Sequence, residues 1–104
     1  MAANLNNDTF LQYLSDNPVV LADFYKDGCV ACRRIAPLLV QAEAARGGQV
    51  AVARVNASGN LPLARQYDIQ ATPTLILFRD GQEVARHRGV ISKEDLNELL
   101  QAAQ

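Results

Sequence analysis

The sequence has no tryptophan, one histidine, one methionine and only two cysteines among its 104 residues. A zinc site usually needs about four ligands, so Cys29, Cys32 and the distant His87 are too few unless a second chain contributes. The net charge is −1 and no basic tract is present, which argues against nucleic acid as a partner recruited by bulk electrostatics. No apolar run approaches the roughly 20 residues that span a bilayer. We therefore expect no metal, no nucleic-acid partner and no membrane span.

What remains is the composition of an ordinary globular protein, with 49% hydrophobic and 20% charged residues. The length suits one domain, and we expect residues 1–104 to form it. Residues 1–8 carry neither the positive region nor the apolar stretch of a secretory signal, which leads us to expect a cytoplasmic protein. In a reducing compartment, two cysteines are more often catalytic or metal-binding than structural.

Hydrophobic periodicity predicts an α/β fold with strands and helices in the order β, α, β, α, β, α, β, β, α. The nearly apolar run 19–25 predicts a central strand that is buried on both faces. Residues 29–46 predict the main helix, and Phe10, Leu11 and Leu14 are expected on the inner face of the first helix. A late Asp-Gly pair predicts a hairpin turn. We expect a mixed central sheet of about four to five strands flanked by about four helices.

Both cysteines lie in the stretch 23–32, between the predicted central strand and the predicted main helix. If Cys29 begins that helix, its sulfur faces unpaired backbone N–H groups and the positive end of the helix dipole. Both features stabilise the reactive thiolate. Cys32 lies one turn further and can close a disulfide with Cys29, or resolve a mixed disulfide.

Three other interpretations of the cysteine pair remain open. A structural disulfide across so short a loop would contribute little chain-entropy stabilisation. A zinc site would need further ligands. Two buried thiols without a redox role are the third possibility. The C-x-x-C spacing after a strand favours the redox motif over all three.

Further motifs accompany the cysteine pair, namely Ala22-Asp23-Phe24-Tyr25 before Cys29-Val30-Ala31-Cys32, then Pro37, Ala71-Thr72-Pro73-Thr74-Leu75, Phe78-Arg79-Asp80-Gly81 and Gly89. Together these motifs give the sequence, from residue 6 to residue 100, a resemblance to the thioredoxin family. It implies the thioredoxin fold, with Cys29 as the nucleophile and Cys32 as the resolving thiol. Asp23 would be a buried carboxylate behind Cys32 that acts as its general base through a water. Alternatively, Asp23 is simply a hydrogen-bonded residue of the strand.

Arg54 stands where the family commonly has a lysine near that aspartate. An arginine in an apolar strand needs a partner, and Asp23 is the simplest one. Because an arginine keeps its proton, it should hold Asp23 more firmly anionic than a lysine would. Alternatively, the Arg54 side chain simply reaches solvent at the strand end.

The resemblance also implies a substrate groove. A cis bond between Thr72 and Pro73 would keep the backbone of Thr72 beside the disulfide, where it binds an extended segment by strand-like hydrogen bonds. The other expected substrate contacts are Tyr25, Gly28, Val30, Ala31, Gly89 and Val90. His87 is expected to be an exposed edge-strand residue and not a catalytic base.

The implied activity is that of a thiol–disulfide oxidoreductase that reduces protein disulfides through reversible Cys29–Cys32 exchange. A thioredoxin reductase would recycle it with electrons ultimately from NADPH, and disulfide-containing proteins would be its targets. No bound cofactor is expected because the dithiol itself carries two electrons, and we expect a monomer. The alternatives are a glutathione-linked oxidant or isomerase of the same fold, and a binding module whose cysteines are incidental.

The sequence departs from the family at the cysteine pair. The usual Trp-Cys-Gly-Pro-Cys is here Gly28-Cys29-Val30-Ala31-Cys32. Loss of the proline leaves an additional N–H near the Cys29 sulfur, so we expect a more stabilised thiolate and a less reducing pair than in a standard thioredoxin. Gly28 should leave the groove more open, while Lys26 adds positive charge near the thiol and Asp27 partly cancels it.

Overall fold

Five strands form one sheet in the computed structural model, which describes residues 2–104. The strands are β1 (Ala3–Leu5), β2 (Val19–Tyr25), β3 (Ala51–Asn56), β4 (Thr74–Arg79) and β5 (Gln82–Arg88). They lie in the order β1-β3-β2-β4-β5. Strands β1, β3 and β2 are parallel, and β4 is antiparallel to both β2 and β5. The mixed sheet predicted from the sequence is confirmed.

Helices cover both faces of this sheet. They are α1 (Phe10–Asp16), α2 (Val30–Ala45), α3 (Leu61–Gln66) and α4 (Lys93–Gln101). The two buried clusters of the core place α2 and α4 on one face and α1 and α3 on the other. At the start of α4, the Ser92 hydroxyl accepts a hydrogen bond from the Asp95 N–H at 3.0 Å, which satisfies one of the unpaired groups of the first turn.

Strand β2 runs through the middle of the core, and none of its residues from Val20 to Phe24 exposes surface. Side chains alternate between the two faces of a strand. Leu21 accordingly packs in the cluster that contains α2 and α4, whereas its neighbour Val20 packs in the cluster that contains α1 and α3. The same alternation directs Asp23 to the α2 face, so the strand carries a carboxylate into the core beneath the main helix.

Phe10 anchors α1 to the sheet. Its ring centroid lies between 5.4 and 6.1 Å from those of Phe24, Tyr67 and Phe78. Leu11 is 65% exposed, so the prediction that it faces inward is wrong. A single step along a helix turns the side chain by about 100°, which carries Leu11 away from the sheet.

The segments that carry the predicted site meet at one edge of the sheet. Tyr25 at the end of β2 pairs with Asn56 at the end of β3. Because β4 runs the opposite way, its first residue Thr74 pairs with Phe24 of β2 and with Arg88 at the end of β5. The loops after β2, before β4 and after β5 therefore converge, although they are far apart in the sequence.

Candidate active site

Cys29 and Cys32 form a disulfide at the start of α2. Cys29 is the N-cap of this 16-residue helix, and its sulfur accepts a hydrogen bond from the backbone N–H of Cys32 at 3.2 Å. The sulfur therefore lies at the positive end of the helix dipole, which stabilises a thiolate at that position. Cys29 is half-buried, whereas Cys32 is 1% exposed. Cys29 is therefore the more exposed of the two cysteines.

The loop before β4 contacts the Cys29 sulfur from the opposite side. The carbonyl oxygen of Thr72 lies 3.7 Å from the Cys29 Sγ, and the Thr72 hydroxyl donates to the same sulfur at 3.6 Å. The Thr72–Pro73 peptide bond is cis, as the resemblance implies. The N–H of Gly89 donates to the Pro73 carbonyl at 2.8 Å, which ties the loop after β5 to the loop beside the disulfide.

Two valines in the segments that meet at the disulfide are exposed. Val30 is 61% exposed and Val90 is 53% exposed, an unusual placement for side chains that are normally buried. Ala31 and Tyr25 are half-buried, and Gly28 is exposed. Gly28 has φ +76°, a backbone conformation that favours glycine at the turn from β2 into α2.

His87 contributes a contact that sequence reasoning missed. Its Nε2 lies 2.9 Å from the carbonyl oxygen of Val90, and the ring is half-buried instead of exposed as we expected. A carbonyl oxygen only accepts, so Nε2 donates. The bond spans the turn after β5 and fixes the backbone position of the exposed Val90. Its sequence signal was weak, because a histidine between two arginines is equally typical of a solvated edge strand.

Asp23 lies in the core with no exposed surface. Its Oδ2 accepts a hydrogen bond from the Arg54 Nε at 3.3 Å, while Oδ1 has no partner among residues 2–104. Neither oxygen bonds to a cysteine. Burial raises the pKa of Asp23 from 3.8 to about 6, because desolvation outweighs the opposing charge and hydrogen bond of Arg54. Arg54 does favour the anionic form of Asp23, as we expected, but its effect on the pKa is smaller than the effect of burial.

Arg54 reaches Asp23 from the neighbouring strand, where the two residues are direct register partners. The ring of Tyr25 supports the guanidinium, whose carbon lies 3.9 Å from the ring centroid. Such a cation–π contact fixes the plane of the guanidinium. Tyr25 is two residues beyond Asp23, on the same face of β2. From β3, Arg54 therefore contacts both Asp23 and Tyr25 of β2. Both contacts depend on the register between the two strands.

Two other classes of site find no support in the part of the chain that the structure describes. Within residues 2–104 there is no group of three or more histidine, cysteine, aspartate or glutamate side chains that could hold a metal ion. None of the helices in the same range is long and apolar enough to cross a membrane.

A half-buried cysteine at a helix start, disulfide-bonded to a buried partner and flanked by a cis-proline loop, defines a protein that exchanges thiols and disulfides. The thioredoxin family model matches residues 1–102. Thioredoxin 1 from Nostoc sp. is 36% identical over 101 residues, covering 96% of this chain and 94% of that protein. A bifunctional thioredoxin reductase/thioredoxin from Mycobacterium leprae is 36% identical over 87 residues, covering 84% of this chain and 19% of that protein.

Among solved structures, a mutant thioredoxin from Halobacterium salinarum superimposes with a TM-score of 0.87 at 31% identity, covering 99% of this chain and 91% of that one. The chain belongs to the thioredoxin family. It is a protein-disulfide oxidoreductase whose redox group is its own Cys29–Cys32 pair, and thioredoxins bind no separate cofactor for this chemistry.

Proposed function

We propose that the protein is a single-domain reductant of protein disulfides in which Cys29 attacks and Cys32 resolves. The observation that carries this proposal is the unequal exposure of the two cysteine residues, since Cys29 is half-buried and Cys32 is 1% exposed. The hydrogen bond from the Cys32 N–H to the Cys29 sulfur and the helix dipole favour the thiolate at Cys29.

The reduced protein transfers two electrons in two exchanges. The Cys29 thiolate attacks one sulfur of the target disulfide, which forms a mixed disulfide and releases the first target thiolate. Cys32 then loses its proton and attacks the Cys29 sulfur. This step forms the Cys29–Cys32 disulfide and releases the second target thiol. The target disulfide is reduced and the protein is oxidised.

Asp23 is the proposed acceptor of the Cys32 proton. A base works best when its pKa is near the working pH, and burial raises the pKa of Asp23 to about 6. Its Oδ1 has no hydrogen-bond partner within residues 2–104, so this oxygen can take up a proton through a water. Arg54, which bonds the other oxygen, positions the carboxylate.

The proposed substrate groove comprises Tyr25, Gly28, Val30, Ala31, Thr72, Pro73, Gly89 and Val90. The contact between Thr72 and the Cys29 sulfur supports a role for its backbone in holding a target segment by strand-like hydrogen bonds. The exposed side chains of Val30 and Val90 support an apolar rim that contacts the residues flanking the target cysteine.

We further propose that a thioredoxin reductase regenerates the dithiol with electrons from NADPH, and that the protein works as a cytoplasmic monomer. The Mycobacterium leprae relative, in which both activities are named for one protein, supports the pairing of reductase and carrier.

Reduction of insulin by NADPH, a thioredoxin reductase and this protein tests the proposal. We expect continuous NADPH oxidation that depends on the protein, followed by precipitation of the insulin B chain. Turnover with glutathione but not with the reductase would instead favour the oxidant or isomerase. Absence of activity with both, together with normal partner binding by Cys29→Ser, would favour a binding module.

Replacing Ala31 with proline is expected to lower the reduction potential of the pair by about 30 mV, equivalent to about 1.4 kcal/mol. Ala31 is the second residue of α2, where backbone N–H groups lack intrahelical partners and lie at the helix end that Cys29 caps. Proline removes one of these donors and destabilises the thiolate. The helix should tolerate it, since α3 carries Pro62 at the same position. Equilibration with a glutathione redox series measures the change.

Val30→Ala provides the control, because it alters an exposed neighbouring side chain but keeps every N–H. Its potential should equal that of the unmodified protein. An unchanged or raised potential for Ala31→Pro would contradict the contribution that we assign to the additional N–H.

A further inference from the structure

A cleft of about 220 Å³ lies beside the disulfide, on the side of Cys32. Three basic side chains line it, namely Lys26 from the loop after β2, Arg33 from the first turn of α2 and Arg54 from β3. Asp27 is the single acidic residue in the lining. The lining is therefore formally positive, although the whole chain has a net charge of −1.

The cations of this cleft are available to a ligand. Lys26 and Arg33 are exposed, and within residues 2–104 neither forms an ion pair or a side-chain hydrogen bond. Arg54 binds Asp23 through its Nε only, which leaves both Nη groups free of protein acceptors in that range. The Tyr25 ring at 3.9 Å keeps the Arg54 guanidinium in a defined plane. Asp27 is held by the Asn56 amide at 3.4 Å.

We propose that this cleft is a subsite for a carboxylate of the disulfide substrate, so that the protein reduces acidic disulfides in preference to neutral or basic ones. The proposal rests on attack by Cys29 and adds a substrate class to it. A guanidinium with two free Nη groups matches a planar carboxylate. The cleft includes Cys32, one turn from Cys29, so the anion that enters it is joined to the attacked sulfur by a short linker.

Charge attraction in this cleft discriminates between substrates but does not bind them tightly. Attraction between exposed charges is weak and screened, typically about 0.2–1 kcal/mol per pair. That range corresponds to about a 1.5- to fivefold change in rate for each cation. Asp23, when ionised behind Arg54, offsets part of the field, and Lys26 and Arg33 carry the remainder. The whole chain has a net charge of −1, so the cluster of cations in this cleft favours anions locally without making the protein a general binder of anions.

Three small symmetrical disulfides of similar length test the subsite. They are 3,3′-dithiodipropionate, which is a dianion, bis(2-hydroxyethyl) disulfide, which is neutral, and cystamine, which is a dication. The second-order rate constant for oxidation of the reduced protein is measured with each compound and divided by the rate constant of dithiothreitol with the same compound. This division removes the intrinsic reactivity of the disulfide.

The readout is the normalised rate constant for the dianionic disulfide divided by that for the neutral disulfide. Loss of a nearby cation also changes the Cys29 thiolate, but that change affects both substrates and cancels in the ratio. Lys26→Gln and Arg33→Gln should each lower the ratio by about 1.5- to fivefold. Arg34→Gln is the matched control, because it removes the next cation along α2, which does not line the cleft. The ratio should also fall as the salt concentration rises.

The outcomes separate the subsite from the underlying function. A normal neutral rate with a ratio unchanged in Lys26→Gln and Arg33→Gln would overturn the subsite alone. An equal fall in Arg34→Gln would also overturn it, since the selection would then come from the general field of the helix start. A protein that does not reduce even the neutral disulfide would overturn the proposed function and the subsite together.

Discussion

Replacing Cys29 with serine is expected to abolish insulin reduction, by at least about 10³-fold, because a hydroxyl is a far weaker nucleophile than a thiolate at neutral pH. Replacing Cys32 with serine should leave the first attack intact but prevent its resolution. The Cys32→Ser protein should therefore accumulate as a covalent mixed disulfide with its substrate. Mass spectrometry of the two proteins after incubation with an oxidised peptide measures this difference directly.

The two substitutions control for each other. Each removes one thiol and the Cys29–Cys32 disulfide, so a contrast between them cannot come from lost disulfide stabilisation. Trapping by Cys29→Ser, with no adduct on Cys32→Ser, would reverse the assigned roles. Adducts on both would mean that the low exposure of Cys32 does not protect its sulfur.

Replacing Asp23 with asparagine is expected to stabilise the protein, and increasingly so as the pH rises. Burial raises the pKa of Asp23 from 3.8 to about 6, so between these values the folded state binds a proton that the unfolded state has lost. Stability from this group therefore falls as the pH rises through that window. Above pH 6 the buried carboxylate costs about 3 kcal/mol, a cost that asparagine does not incur.

Urea denaturation at pH 4.5 and pH 8 measures this effect. The stability advantage of Asp23→Asn should grow by about 2 kcal/mol between these two values. Asp8→Asn, a replacement of an exposed aspartate, is the matched control. Arg54→Gln should raise the pKa of Asp23 further, since Arg54 opposes the effect of burial. An advantage of Asp23→Asn that stays constant with pH would contradict the raised pKa.

The same substitution separates the two steps of the proposed reaction. If Asp23 accepts the Cys32 proton, Asp23→Asn should slow resolution of the mixed disulfide and leave the initial attack by Cys29 nearly unchanged. Greater stability together with slower resolution would indicate that the carboxylate is retained for chemistry despite its unfavourable burial.

The local features of the fold could be predicted from the sequence. Strand β2 has the predicted bounds because a short apolar run between a proline and a glycine suits a strand covered on both faces. The main helix differs by one residue at each end, since Cys29 and Arg46 are its caps. At the first helix the prediction for Leu11 was wrong, because an apolar residue next to the inner face looks like part of it in a short helix.

The sequence by itself determined the order of strands and helices, the C-x-x-C pair at a helix start and the resemblance that pointed to Cys29, Asp23 and Pro73. These features depend on local spacing, which a chain carries in its own periodicity. Only the tertiary structure decided that Arg54 binds Asp23 through one nitrogen and stacks on Tyr25.

The contact between His87 and Val90 was also decided only by the tertiary structure, because it depends on the path of the chain after β5. The tertiary structure alone also forms the cleft that Lys26, Arg33 and Arg54 line together. These three cations come from a loop, a helix and a strand. The register of β2 against β3 and the convergence of loops at one edge of the sheet bring them together, and neither is encoded in local spacing.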